Sequence, residues 1–320
     1  MWLPVLVLIF GFITLVWSAD RFLSGAAATA TNFGVSKMLI GLTVVSVGTS
    51  APEILVSFAA AISGTPSLAV GNAIGSNIAN IGLVLGVTAI IAPLPFAPTV
   101  LQKELPWLIG ATLLALVCLF NLRIGRADGL ALLAGLAYIM YELGKSTRIE
   151  SEISGSGHAE ELNELPEMPI KQAVLWLVSG LFVLLISAEV LVWAATYIAE
   201  QLGVSHLIIG LTIVAIGTSL PELAATVGSA VKGHPDIAIG NVVGSNILNI
   251  LAVLAVPALV HPANVAAAAF WRDGGMMLAL TMMLVFFAYG MNSRAVITRF
   301  EGSVMLFAWI GYNLLLYHQA

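Results

Sequence analysis

Gly41 to Asn80 reads GLTVVSVGTSAPEILVSFAAAISGTPSLAVGNAIGSNIAN, and Gly210 to Asn249 reads GLTIVAIGTSLPELAATVGSAVKGHPDIAIGNVVGSNILN, the same pattern 169 positions later. That offset pairs Glu53 with Glu222, Thr49 with Thr218 and Asn80 with Asn249. The copies align without a gap from Gly34 and Gly203 onward, and weaker matches join Asp20 to Glu189 and Lys103–Glu104 to Arg272–Asp273. Each half of the chain is therefore one copy of a single unit. The halves are residues 1–144 and 172–320, and the polar stretch 145–171 lies between them.

Composition says what medium the units occupy. Of 320 residues, 59% are hydrophobic and 9% charged, with a mean hydropathy of +1.01; a soluble domain carries roughly a quarter charged residues. Apolar runs long enough to cross a hydrocarbon core of about 30 Å recur along the chain. This composition predicts an all-α polytopic membrane protein. The net charge of −5 comes largely from Glu150 to Glu167, read as a solvated loop, and no clustered Lys and Arg invite nucleic acid. Cys118 is the only cysteine, so neither a disulfide framework nor a thiolate metal site is possible. Trp2 to Trp17 lacks a basic n-region and is expected to be a retained first span.

The expected spans of the first half begin near Leu3, Val35, Ser67, Leu105 and Gly129, and those of the second near Ala173, Val204, Asp236, Gly274 and Gly302. Ten transmembrane helices result, five in each repeat. Five is odd, so the second unit enters the membrane from the opposite side, the inverted repeat of many transporters. The linker, with SGSG at Ser154 to Gly157, is expected to be flexible. Placing it in the cytoplasm leaves only Arg123, Arg126 and Arg272 of the 12 basic residues outside, with both termini outside as well. The setting expected is an inner cell membrane, multi-pass, with one chain sufficient as a monomer.

Glu53 and Glu222 lie near the middle of their spans, where an unpaired carboxylate costs several kcal/mol, so each should face a shared polar cavity holding a cation or a proton. Gly48 and Pro52, with Gly217 and Pro221, should break those helices at the midplane and free the carbonyls of Ser46 and Ala215. Thr49, Ser50, Thr218 and Ser219 supply hydroxyls one turn away. Ser76, Asn77, Asn80, Ser245, Asn246 and Asn249 add hydroxyls and amides from the adjoining helices. Oxygen-only donors suit hard cations such as Ca²⁺ and Na⁺ and disfavour Zn²⁺ and Cu⁺.

GTSAPE, GTSLPE, GNAIGSNIAN and GNVVGSNILN resemble the two alpha repeats of the sodium/calcium exchanger family, within the Ca²⁺/cation antiporter superfamily. The resemblance covers nearly the whole chain. It implies an antiporter with alternating access in which Glu53, Glu222, Thr49 and Thr218 bind Ca²⁺. It also implies Na⁺ sites from Ser50, Ser219, Ser76, Ser245 and Asn80, with the carbonyls of Ser46 and Ala215, sharing the two glutamates. The transported ions are then Ca²⁺ and Na⁺, with no cofactor, and the first and sixth spans slide over the other eight. Asn249 departs from the family, which commonly has Asp there. The site is left with two carboxylates, and coupling stoichiometry or ion preference turns on that swap.

Blander readings compete with these. A single intramembrane Glu can be protonated and structural, but duplication argues against that here. Gly41, Gly71, Gly210 and Gly240 are expected to serve close helix packing. Asp20 with Arg21, and Glu189, read as interface charges or a local pair, and the linker acids as solvated, since they lack EF-hand spacing. H⁺/Ca²⁺ antiport is the nearest alternative, because a buried Glu carries a proton as readily as sodium. An intramembrane enzyme would need a nucleophile with a His base or a metal triad at membrane depth, and neither is visible. A passive cation channel would normally surround its pore with several subunits.

Overall fold

The computed structural model describes residues 2–33, 40–64, 66–153, 168–201, 215–267, 269–289 and 295–319. Helices dominate, and they follow the order expected. α1 is Trp2–Phe33; α2 runs through Gly41–Val45, Ser46–Thr49 and Ala51–Ile62; α3 through Pro66–Ala79, Asn80–Leu85 and Gly86–Ile91. α4 is Val100–Glu104 with Leu105–Leu119, and α5 is Arg126–Ile153. In the second half α6 is Ile170–Gln201; α7 is Ala215–Thr218 with Leu220–Val231; α8 is Pro235–Leu248, Asn249–Val253 and Ala255–Val260. α9 is Ala269–Gly274 with Gly275–Tyr289, and α10 is Arg299–Gln319.

Among the described residues, 6 helices are long and apolar enough to cross a membrane, and α2 makes a seventh as a pair bent by 49°. α5, α7 and α10 occupy the places of the other expected spans. The start of the second motif, Gly210 to Val214, lies outside the described residues, as does most of the expected linker. What is described of that linker differs from expectation at its start, where α5 stays helical to Ile153.

The bend in α2 has a local cause. Ser50 leaves the helix at φ −82° and ψ 5°, and Pro52, which has no N–H to donate, sits in the first turn of the next segment. Ser219 repeats this in α7 at φ −90° and ψ 4°, ahead of Pro221. Each second segment then stops at a glycine in the left-handed region, Gly64 at φ +76° and Gly233 at φ +79°, where a Cβ would be strained. Sequence symmetry has become backbone symmetry.

α3 and α8 form the centre, 72% and 83% buried over their spans, whereas α1 and α6 are 28% buried. One core gathers Ile74, Ile81, Leu105, Leu132, Val242, Leu251, Leu280 and Met305 from the central body. A second, smaller core lies beneath α1 and α6, built on Leu15, Phe22, Leu23, Leu184 and Leu191. α1 and α6 pack backbone to backbone. A Cβ on Gly25 would lie 2.7 Å from the Ala173 carbonyl oxygen, and one on Gly180 would lie 2.8 Å from Phe22 Cα. Arg21 adds to that pairing, its guanidinium 4.5 Å from the Trp176 ring centroid and 5.8 Å from that of Trp17.

Two miniature sheets that hydropathy did not foretell tie the repeats together. β1 (Leu94–Pro95) pairs antiparallel with β4 (Val296–Ile297), and β2 (Arg123–Ile124) with β3 (Ala263–Asn264). An inverted repeat places the partners of each pair on the same membrane face. The hydrogen bond from Tyr289 to the Leu101 carbonyl and that from Asn32 to the Met168 carbonyl obey the same rule. The two faces are called here the linker face and the opposite face.

Candidate functional site

Each break in a helix delivers one glutamate. Glu53 and Glu222 both fall in the first turn of the segment that follows the break, where the N-terminal end of the helix dipole favours negative charge. Both are 0% exposed. The two carboxylates lie within electrostatic reach of one another, and the Ser50 hydroxyl of the first repeat donates to Glu222 Oε1 of the second at 3.2 Å. Neither oxygen of Glu53, nor Oε2 of Glu222, has a hydrogen-bond partner among the described residues. A buried anion left in this state costs far more than a paired one, so the pair has the chemistry of a cation cradle.

The remaining donors expected from the sequence lie on α2, α3, α7 and α8. Ser76, Asn80, Ser219, Ser245 and Asn249 are all buried. The hydroxyls of Ser219 and Ser245 and both amide atoms of Asn80 and Asn249 have no hydrogen-bond partner among the described residues. Asn80 and Asn249 each open a wide π-helical turn, a feature common at functional sites, in the middle of α3 and α8. Thr49 is fully buried and Thr218 half-buried. Asn77 instead donates to its own helix at the Ala73 carbonyl, 2.8 Å away, while both amide atoms of Asn246 are buried without partners.

The two carbonyls ahead of the breaks differ. Ser46 O accepts the Ser50 amide at 2.9 Å and has the Thr49 hydroxyl within reach at 3.4 Å, so it is engaged within its own turn. The Ser219 amide turns instead to Ile216 O at 3.1 Å, which leaves the Ala215 carbonyl outside that bond. The Ser46 hydroxyl points away from the site, donating to Gly41 O at 2.6 Å with Asn241 O at 3.0 Å.

Two residues that the sequence reading passed over complete the arrangement. Asn72 Nδ2 donates to the Glu53 carbonyl and to Ser57 Oγ, both at 3.2 Å. Asn241 Nδ2 does the same in the second repeat, reaching Thr226 Oγ1 at 2.8 Å and the Glu222 carbonyl at 3.5 Å. Asn241 Oδ1 also accepts the Thr49 hydroxyl at 3.2 Å, joining the two repeats. Each asparagine braces the turn that carries a glutamate. The signal was present, because both stand at matching places in the motif and one turn before Ser76 or Ser245.

Other expectations resolve differently. Asp20 does not pair with Arg21 but with Lys232, at 2.6 Å. Gly41 does serve close packing, since a Cβ there would lie 2.8 Å from Ile237 O. Gly71 does not among the described residues, none of which lies within 4 Å of its Cβ position.

Comparison with known proteins follows the same lines. The family model described as sodium/calcium exchanger protein matches residues 3–143 and 172–318. The chain is 45% identical over 310 residues to the putative antiporter CaxA of Alkalimonas amylolytica, covering 96% of each. It is 31% identical to the sodium/calcium exchanger MaX1 of Methanosarcina acetivorans over 98% of each chain. Among solved structures, the sodium-calcium exchanger NCX_Mj soaked without Na⁺ and Ca²⁺ superposes with a TM-score of 0.82 at 32% identity, covering 98% of this chain and 99% of that one.

Proposed function

Because this chain belongs to the sodium/calcium exchanger protein family, a family of membrane antiporters for Ca²⁺ and other cations rather than of enzymes, we propose that it exchanges Na⁺ for Ca²⁺ through Glu53 and Glu222. The observation that carries this reading is the buried pair itself. Among the described residues, three of its four carboxylate oxygens are unpartnered and the fourth is bonded across the repeats by Ser50.

Two carboxylates at one site cannot both serve Ca²⁺ and Na⁺ at full occupancy, so the ions compete. The polar donors around the pair offer hard oxygen ligands to either ion. Competition becomes coupling when the site crosses only while filled, because inward movement of sodium then drives outward movement of calcium. Asn72 and Asn241 keep the two glutamate turns in place while the ligands exchange. The linker is assigned to the cytoplasmic face, as the distribution of basic residues suggests.

Radiolabelled Ca²⁺ uptake into proteoliposomes tests the reading, with internal Na⁺, then internal K⁺ at equal pH, then an outward H⁺ gradient, and Glu53→Gln as the blank. Uptake that depends on internal Na⁺ is the expected result. Uptake driven by the proton gradient alone moves the assignment to H⁺/Ca²⁺ antiport, and uptake without any counter-ion gradient moves it to a passive channel.

A further inference from the structure

α1 and α6 pack as one unit, yet the body holds the two ends of that unit unequally. On the linker face α1 rests on the end of α7. A Cβ on Gly228 would lie 3.0 Å from Leu23 Cδ1. Lys232 Nζ lies 2.6 Å from Asp20 Oδ1, 3.2 Å from the Asp20 carbonyl and 3.0 Å from Ser24 Oγ. Lys232 also follows the last residue of α7, where the helix dipole welcomes a cation. Beside this contact is a cavity of about 230 Å³ whose lining includes Leu23, Ser24, Ala27, Ser229, Lys232 and His234.

The repeat offset places Glu189, Ser63 and Ala59 in the corresponding positions of α6 and α2. The acid is kept in both copies and the base in only one. Glu189, Ser63 and Ala59 are all exposed.

We propose that Asp20 and Lys232 form a one-sided latch. It holds the α1/α6 unit against the end of α7, favours the arrangement in which the linker-face route is closed, and has no equivalent on the opposite face. Both side chains are part-exposed, 32% for Lys232 and 45% for Asp20, so the latch biases the equilibrium without fixing it. The inference rests on the alternating-access reading above.

Accessibility to a charged, water-soluble maleimide tests it on the full chain, in a Cys118→Ala background. Two reporters are used one at a time. Ser229→Cys lies in the cavity beside the latch, where the native serine is 1% exposed. Gly75→Cys lies on α3, where nothing among the described residues is within 4 Å of the Cβ position. Lys232→Met should raise the labelling rate at the Ser229→Cys reporter and lower it at the Gly75→Cys reporter, each about two- to five-fold, the size suited to an exposed ion pair. Asp20→Asn should do the same, and the double variant no more than either single one. Ser63→Lys, which offers Glu189 a partner on the exposed opposite side, should move both reporters in the same directions by adding a contact rather than removing one.

Labelling that rises at both reporters together, or that changes at neither, or a Ser63→Lys variant without effect, overturns the latch. The labelling needs no ion gradient, so a failed flux assay and a failed latch are read separately.

Discussion

The two alpha repeats carry nearly the same residues and the same broken helices, yet their surroundings differ. In the second repeat, Gly244 of α8 is pressed against the first half of α2, and a Cβ there would lie 2.6 Å from the Leu42 carbonyl oxygen. Its counterpart in the first repeat, Gly75, has nothing within 4 Å among the described residues, which leave out Gly210 to Val214. Asn241 is fully buried and bonded across to Thr49, whereas Asn72 is half-buried. Gly228 meets Leu23 of α1, while its counterpart Ala59 is exposed. Matching sequence produces matching local structure, namely the break, the glutamate turn and the asparagine brace. It does not produce matching packing between the halves. A transporter that closed both routes equally would trap its ion, and one that opened both would leak it. Asymmetry between chemically equal halves is what alternating access requires.

The largest expected effect sits where the halves are most alike. Glu53→Gln and Glu222→Gln should each reduce Na⁺-dependent Ca²⁺ uptake by at least about 100-fold, because each removes half of a shared charge that nothing else in the pocket replaces. Flux in proteoliposomes measures this. If either variant kept a tenth of the wild-type rate, the two glutamates would not form one site.

The next comparison uses the asymmetry directly. Gly244→Ala must push its new methyl into the Leu42 backbone, overpacking that should cost about 1–3 kcal/mol and lower the thermal midpoint in detergent. Gly75→Ala meets no described atom within 4 Å and should leave that midpoint unchanged. If the route beside Gly75 closes during the cycle as the one beside Gly244 is closed here, Gly75→Ala should still slow turnover about tenfold. A Gly75→Ala protein with full turnover would show that the first repeat never reaches the packing of the second.

How far all this could be read in advance depends on what each feature needs. The repeat, the breaks at GTSAPE and GTSLPE and the two glutamates are local chemistry stated twice, and the chain shows them plainly. Asn72 and Asn241 needed one further step, the phase of α3 and α8, to show that they face the glutamate turns while Asn77 turns back on its own helix. The pairing of Asp20 with Lys232, and of β1 with β4, depends on which surfaces of the two halves meet. No nearly symmetric sequence could reveal which route is closed, since the same residues must serve both arrangements in turn.

A smaller effect separates the two braces. Asn241→Ala removes donors to Thr226 and the Glu222 carbonyl together with the acceptor for Thr49, whereas Asn72→Ala removes the donors to Glu53 and Ser57. Unsatisfied buried groups cost about 1–3 kcal/mol. Apparent Ca²⁺ affinity should fall by roughly tenfold for Asn241→Ala and less for Asn72→Ala. Competition of unlabelled with labelled Ca²⁺ reads both, and equal losses would mean that the contact to Thr49 adds nothing.

The smallest effect concerns Asn249, the position where the resemblance to the family led to the expectation of an aspartate. Asn249 and Asn80 are both fully buried, both open a π-helical turn and both have amides unpartnered among the described residues. An aspartate in either place would add a third negative charge to the pocket. Coulomb attraction scales with the charge of the ion, so the added charge favours a divalent cation over a monovalent one at the same distance. Asn249→Asp should tighten apparent Ca²⁺ binding a few-fold and require more Na⁺ to displace it, and release of Ca²⁺ should slow in proportion. Asn80→Asp makes the comparison sharper, because the repeat relation predicts a shift of the same sign from the other half of the molecule. If only Asn249→Asp responds, the ion sits nearer the second repeat. If neither does, both asparagines face away from it and the oxygen count at the site is smaller than the buried amides suggest.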